Sequence, residues 1–422
     1  MRTLVLGAGV SGRAAARLAT RLGHRVVVYD RAPIMEMVDV ATVSGDWDPL
    51  LLEGLDLVVT SPGFAERSAP ITDALEAGLE VVGEVEFAWR EMNVPTVAVT
   101  GTNGKTTVTG LIADMLRVSG FDTPALGNIG DPVSNWTDKP PDILVVEMSS
   151  FQLRFTDRFH CEVAVITNVA EDHLDWHGSV VGYRQAKALI VANQTSDDLV
   201  VFDALDPGAS EVAGRSAGRR VGVACDGSEA VGVVGDQLTW DGLAVDLGAL
   251  RVDDPAYRTD LALAGVAALR MGADTAAVSS VATGFVPGAH RRQVVFEDGG
   301  VRWVDDSKAT NPHAALASIA AFGSVVLIAG GLAKGLDIAP LATAPGVRAV
   351  IGIGESAPVL LAAAEDRGQA AGSMEEAVEL ARSLALPGDV VLLAPGCASY
   401  DMFDSYASRG DRFAAAARSE AT

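Results

Sequence analysis

Residues 97–108 read VAVTGTNGKTTV, and the fold turns on how that run is parsed. A β-branched, strand-like stretch breaks at glycine, and a Gly-Lys-Thr then opens a helical run. That is the grammar of a loop that grips phosphate. The common pattern G-x-x-x-x-G-K-[ST] wants a glycine where this chain has Val99; Gly101 supplies one closer to Gly104, so the loop is shortened. Successive backbone N–H groups and Lys105 would cradle phosphates here, and the Thr106 hydroxyl would ligate Mg²⁺.

Working outward, the 422 residues are too many for one core and predict two or three domains. Strand-like and helix-like runs alternate along the whole chain, the pattern of an α/β fold with parallel sheets. TLVLG, RVVVYD, DLVVTSPG and EVVGE form a first set that ends near Asn93-Val94-Pro95. The phosphate loop opens a second set with DILVVEMSS, EVAVITN and a hairpin-like VGVVGDQLTWDG, ending near Val286-Pro287-Gly288. A hairpin, RQVVFEDGGVRWVDDS, opens a third set with SVVLIAGG, RAVIGIGE and DVVLLAPG. The expected domains are residues 1–93, 94–286 and 287–422.

The formal net charge of −23 argues against nucleic acid and anionic lipid as partners, and any anionic ligand must meet local cations. No stretch has the length and apolarity of a membrane span. MRTLVLGAGVSGR is explained better as strand and loop than as an export signal. Three scattered cysteines, Cys161, Cys225 and Cys397, fit reduced thiols. Of 32 basic residues only Lys105, Lys139, Lys187, Lys308 and Lys334 are lysine. All but Lys139 sit in glycine-rich or polar motifs, where a compact ammonium or a reactive amine has a use that arginine lacks.

GAGVSG, residues 7–12, follows a strand, and Asp30 ends the next strand. This is the fingerprint of a nucleotide diphosphate held on helix N-terminal amides, with the acid on a ribose hydroxyl. Glu147 closes the strand DILVVE, where an acid can hold a metal. TNVAEDHLDWHG makes Asp172 and His173 site candidates, while His177 reads as a solvated loop residue. Lys187, within the helical YRQAKALI, is a candidate for a desolvated amine that adds CO₂ to become a carbamate. HRRQ, DDSKATNPHAA, GGLAKG and GCASYDMF add anion-friendly strand ends in the third part, with Ser399 expected at a helix start.

Taken together, GTNGKTT, Glu147, NVAEDHLD, YRQAK, HRRQ and DDSKATN resemble the Mur ligase family in order and spacing over essentially the whole chain. SSFQL, DSKATN and GGLAKG resemble its D-glutamate-adding branch. The resemblance implies three domains: a Rossmann-like N-terminal one, a phosphate-loop ATPase-like central one and a Rossmann-like C-terminal one. It implies that ATP drives D-glutamate onto UDP-N-acetylmuramoyl-L-alanine in the bacterial cytoplasm, for peptidoglycan synthesis, by a monomer.

By the same resemblance, Thr102, Asn103, Gly104, Lys105, Thr106, Thr107 and Val108 meet ATP, as do Asp260, Arg291, Asp306 and Lys308. Asp260 stands where the family's segment offers an asparagine. Thr106 and Glu147 serve one Mg²⁺; His173 and a carbamylated Lys187 serve a second. Val10, Ser11, Asp30, Arg31, Gly63, Asn128 and His173 hold the UDP-sugar, and Thr310, Lys334, Ser399 and Tyr406 hold D-glutamate. The catalytic set is then Lys105, Glu147, His173 and Lys187.

Overall fold

Short β-branched runs without a polar face become strands buried on both sides, which is why the sheets are mostly parallel and covered by helices. In the computed structural model, which describes residues 1–419 except 36, 38, 39, 230, 249, 252 and 253, these runs build two units. One comprises residues 1–169 and 181–285; the other comprises 170–180 and the chain from 286 onward.

The first unit contains two parallel sheets. In one, β1 (Arg2–Leu6), β2 (Arg25–Asp30), β3 (Ala41–Ser44), β4 (Leu57–Thr60) and β5 (Glu80–Gly83) lie in the order β3-β2-β1-β4-β5. The strand order reverses at β1, so its carboxyl end is a switch point where ligands of such sheets bind. In the other, β6 (Thr96–Thr100), β7 (Ala125–Gly127), β8 (Leu144–Glu147), β9 (Val163–Ile166), β10 (Leu199–Asp203) and β11 (Arg219–Val223) run β11-β10-β9-β6-β8-β7. Here β6 pairs with both β8 and β9 and is the switch point. The expected hairpin near residue 237 gains a partner: β12 (Gly232–Val234), β13 (Gln237–Trp240) and β14 (Leu243–Asp246) form a small antiparallel sheet. Its Leu238 and Val245 join the core shared by the helices Lys105–Val118 and Pro255–Arg270.

Two buried glutamates join the large sheets. Glu86, on the helix Glu84–Trp89, accepts backbone N–H groups of Asp157, Arg158 and Phe159 at 3.2, 3.1 and 2.8 Å. Glu84 accepts that of Ser134 at 2.7 Å. Burial pushes the Glu84 carboxyl up from the usual range, against the pull of the Ser134 hydrogen bonds.

In the second unit, β15 (Gln293–Asp298) and β16 (Val301–Asp305) form the expected antiparallel hairpin. With β17 (Val325–Gly330), β18 (Val347–Ile353), β19 (Gly368–Ala371) and β20 (Val390–Leu393) they make the sheet β15-β16-β20-β17-β18-β19, parallel except for β15. No helix among the described residues is long and apolar enough to cross a membrane.

Candidate functional site

At the carboxyl end of β1, GAGVSG forms one wall of a cleft of about 700 Å³. Gly7 has φ +101°, and a Cβ there would fall 2.0 Å from the Ser61 Oγ, so only glycine fits. Gly9 caps the helix Val10–Arg21, and a Cβ on it would meet no atom within 4 Å. Val10, Ser11, Asp30, Arg31 and Gly63 all line the cleft. Asp30 already accepts the N–H groups of Ala8 and Ala32 at 2.8 and 3.0 Å, which fixes the loop and leaves each carboxylate oxygen a second lone pair.

At the carboxyl end of β6 the phosphate loop is tightly held. Gly104, φ +82°, starts the helix Lys105–Val118. Asn103 donates its backbone N–H to Asn168 Oδ1 at 2.9 Å, and its carbonyl accepts from Thr167 Oγ1 at 2.5 Å. Lys105 Nζ turns back onto the Gly101 and Thr102 carbonyls, both at 3.0 Å. Lys187 is buried in the last turn of the helix Val180–Ala188. Its Nζ donates to the same Gly101 carbonyl at 2.6 Å and lies 4.7 Å from the Tyr183 ring centroid. The Tyr183 hydroxyl shares a 3.0 Å hydrogen bond with Thr102. Asp260 also reaches this loop, since a Cβ on Gly104 would sit 2.6 Å from its Oδ1. Thr106 and Thr107 are half-buried in the first helical turn, whereas Val108 is part of the apolar core.

Glu147 ends β8, beside β6, and is buried. Its Oε1 accepts from Asn128 Nδ2 at 2.8 Å, while Oε2 has no hydrogen-bond partner among the described residues. An unpartnered buried carboxylate oxygen is costly, and it is the hard donor that a divalent cation takes. The donor chemistry therefore fits Mg²⁺.

In the second unit Asp172 is a meeting point. It receives Asn311 Nδ2 at 3.3 Å and Lys334 Nζ at 3.5 Å, and its Oδ1 accepts the His173 backbone N–H at 2.8 Å. His173 itself adopts φ +51° at the start of a short helix. His177, expected in solvent, is buried at the end of that helix. Asp306 accepts the Arg292 N–H at 3.2 Å; burial pushes its carboxyl up, partly offset by the Arg292 and Arg291 guanidinium groups. Thr310 donates its N–H to the Lys308 carbonyl, and Lys308 Nζ sits 3.9 Å from the Tyr406 ring centroid. Ser399 is not at a helix start: its carbonyl accepts from Met402 and Phe403 in a turn, and the helix begins at Tyr406, capped by Ser405.

This arrangement can be set against known proteins. Family models described as "Mur ligase MurD-like, N-terminal domain", "Mur ligase middle domain" and "Mur ligase, glutamate ligase domain" match residues 1–83, 99–232 and 290–397. The chain is 41% identical to the UDP-N-acetylmuramoylalanine–D-glutamate ligase of Frankia casuarinae, over 98% of this chain and 93% of that protein. The chain belongs to the Mur ligase family. The protein of the same name from Pelotomaculum thermopropionicum is 38% identical, with 98% and 96% covered. The three-domain α/β fold of Mur ligases is shared with the solved MurF ligase of Thermotoga maritima in complex with ADP, at TM-score 0.62 and 17% identity over 98% and 93% of the two chains.

Each unit of this Mur ligase, taken by itself, also holds residues that sequence reading passes over. Thr167 and Asn168 brace the phosphate loop, and Ser61, Phe64 and Arg67 line the first cleft. Arg409 is fully buried, donating to the Ser307 hydroxyl and carbonyl and to the Cys397 carbonyl at 2.9, 2.8 and 3.1 Å. Burial brings it down to about 10. Thr167 and Asn168 begin the quoted TNVAEDH motif, a signal that was available; nothing in the sequence around Arg409 distinguishes it from a solvated helix residue.

Proposed function

We propose that this Mur ligase joins D-glutamate to UDP-N-acetylmuramoyl-L-alanine, with ATP converted to ADP and phosphate, in bacterial cell-wall synthesis in the cytoplasm. The observation that carries the reading is a phosphate loop paired, in one unit, with a second and open nucleotide cleft. One nucleotide would supply energy and the other would be the handle of the acceptor. The near-full-length likeness to D-glutamate ligases supports the choice of amino acid.

A carboxylate does not condense with an amine at neutral pH, because its leaving oxygen is poor. Phosphorylation of the acceptor's carboxylate by ATP gives an acyl phosphate. The uncharged D-glutamate amine attacks the acyl carbon, and the tetrahedral adduct expels phosphate as the amide forms. Lys105 and the loop N–H groups would neutralise charge on the transferred phosphoryl group. Val10, Ser11, Asp30, Arg31, Gly63 and Asn128 would hold the UDP-sugar. Asp260, Arg291, Asp306 and Lys308 would serve ATP, and Thr310, Lys334, Ser399 and Tyr406 would serve D-glutamate. No enzyme nucleophile is needed, so positioning would supply ~7–11 kcal/mol of the barrier.

Thr106 and Glu147 would hold Mg²⁺, which contributes charge neutralisation at phosphate oxygens. His173 is a further candidate ligand. Lys187, an amine buried against the loop, would become an anionic donor on carbamylation. A monomer is sufficient for this chemistry.

The test is phosphate release from ATP with UDP-N-acetylmuramoyl-L-alanine and a panel of amino acids, with bicarbonate supplied or withheld. Release is expected only with acceptor and D-glutamate together, and it should slow without bicarbonate. ATP splitting that ignores the acceptor, or the absence of a lengthened peptide, would overturn the reading.

A further inference from the structure

The cleft beside GAGVSG has one feature that the family resemblance does not assign. The loop after β4 contributes Ser61, Phe64 and Arg67 to the wall, while Arg31 follows β2. Because β1 lies between β2 and β4, these two loops flank the helix start at Val10. Arg31 and Arg67 are exposed, and neither side chain makes a hydrogen bond or ion pair with a described residue. Glu66, next to Arg67, is instead paired with Arg154. Among the described residues Asp30 is the one acid lining the cleft, and it is engaged with two backbone N–H groups. In a chain of net charge −23, two exposed guanidinium groups at one cleft, neither paired with a described acid, mark it for an anion.

The loop holding Arg67 is tied by its own hydrogen bonds. Phe64 N–H donates to the Ser61 carbonyl at 3.1 Å, the N–H and hydroxyl of Ser68 both donate to the Ala65 carbonyl, and the Ser61 hydroxyl is tied to the Leu6 carbonyl at 2.8 Å. A cation on such a loop is partly preorganised, which limits the entropy lost when it takes a ligand. Phe64, whose ring lies 6.1 Å from that of Tyr29, gives the same wall an apolar face.

We propose that Arg67 is a diphosphate-binding residue of this cleft, gripping the UDP moiety from the β4 side while Arg31 does so from the β2 side. The inference rests on the UDP-sugar reading above. A guanidinium meets phosphate oxygens with paired N–H donors, so the contact belongs to the diphosphate and not to the uridine.

Titration calorimetry of the full-length enzyme with UDP and with uridine tests it, using wild type, Arg67→Ala and Arg67→Lys. Arg67→Ala should weaken UDP roughly tenfold, the scale of one charged hydrogen bond, and leave uridine unchanged. Arg67→Lys should restore part of the loss. In turnover, KM for the UDP-sugar should rise while KM for ATP stays fixed. Wild-type binding of UDP that Arg67→Ala does not weaken, or an equal loss for uridine, would overturn the proposal and leave the ligase reading intact. Wild type that binds no UDP would overturn that reading, and the proposal with it.

Discussion

The chain contains two strand–glycine loop–helix units that look alike in sequence and differ in what fills them. GAGVSG opens onto a cleft with empty space above Gly9 and two exposed arginines. GTNGKT is occupied by the protein itself. Lys105 and Lys187 both turn onto the Gly101 carbonyl, Thr167 and Asn168 hold Asn103, and Asp260 packs on Gly104. The first loop leaves its helix start open to the cleft. In the second, the Lys105 ammonium already gives two of its three N–H donors to the loop's own carbonyl oxygens. One motif grammar thus yields an open loop and a self-satisfied one, and the difference comes from the neighbouring strand ends.

The largest effect expected from this contrast is at Lys105. Lys105→Ala should slow phosphate release on the order of 10²–10³-fold, the usual consequence of losing one charge-stabilising donor, while titration shows UDP binding unchanged. A loss of UDP affinity in that variant would mean the two loops are not separate sites.

The glycines give a matched pair of intermediate effects. Gly101 has φ +153°, and a Cβ there would lie 1.8 Å from Thr167 Oγ1. Gly101→Ala should cost about 1–3 kcal/mol in urea melts, as overpacking does. Gly9→Ala should change stability by no more than about 0.5 kcal/mol, yet weaken UDP, because its methyl enters the cleft. Equal destabilisation by both would break the comparison.

The smallest effect concerns the joint between the two sheets. Burial raises the Glu84 carboxyl, so its protonated form favours the fold. That contribution is complete below the ordinary glutamate value of 4.5 and is lost as pH rises through the raised folded value. Glu84→Gln should remove this loss, so the variant gains stability relative to wild type between acid and neutral pH. Thermal melts across that interval check the sign.

Much of this was readable because it is local. The glycines of both loops report backbone conformations fixed within a few residues, and Glu147 follows from its place at a strand end. The scarcity of lysine sets Lys105, Lys187, Lys308 and Lys334 apart without reference to any contact. The misreadings share a cause as well. Local pattern puts His177 in solvent and Ser399 at a helix start, because polar residues near glycine usually read that way. Burial of the one, and the turn that holds the other, depend on chain segments far away.

The sequence by itself determined the alternation of strands and helices and the two glycine-bearing loops, because periodicity and glycine placement act over short spans of chain, and the likeness of its motifs pointed to the family. Only the tertiary structure decided that Asp172 gathers Lys334 and Asn311, residues 162 and 139 positions away. It likewise decided that Arg409 is buried under Ser307, and that Arg67 shares a cleft with Arg31. Those meetings depend on the order of strands within each sheet, which no local pattern encodes. They also depend on burial, which sets whether a charged group is satisfied by the protein or left for a ligand.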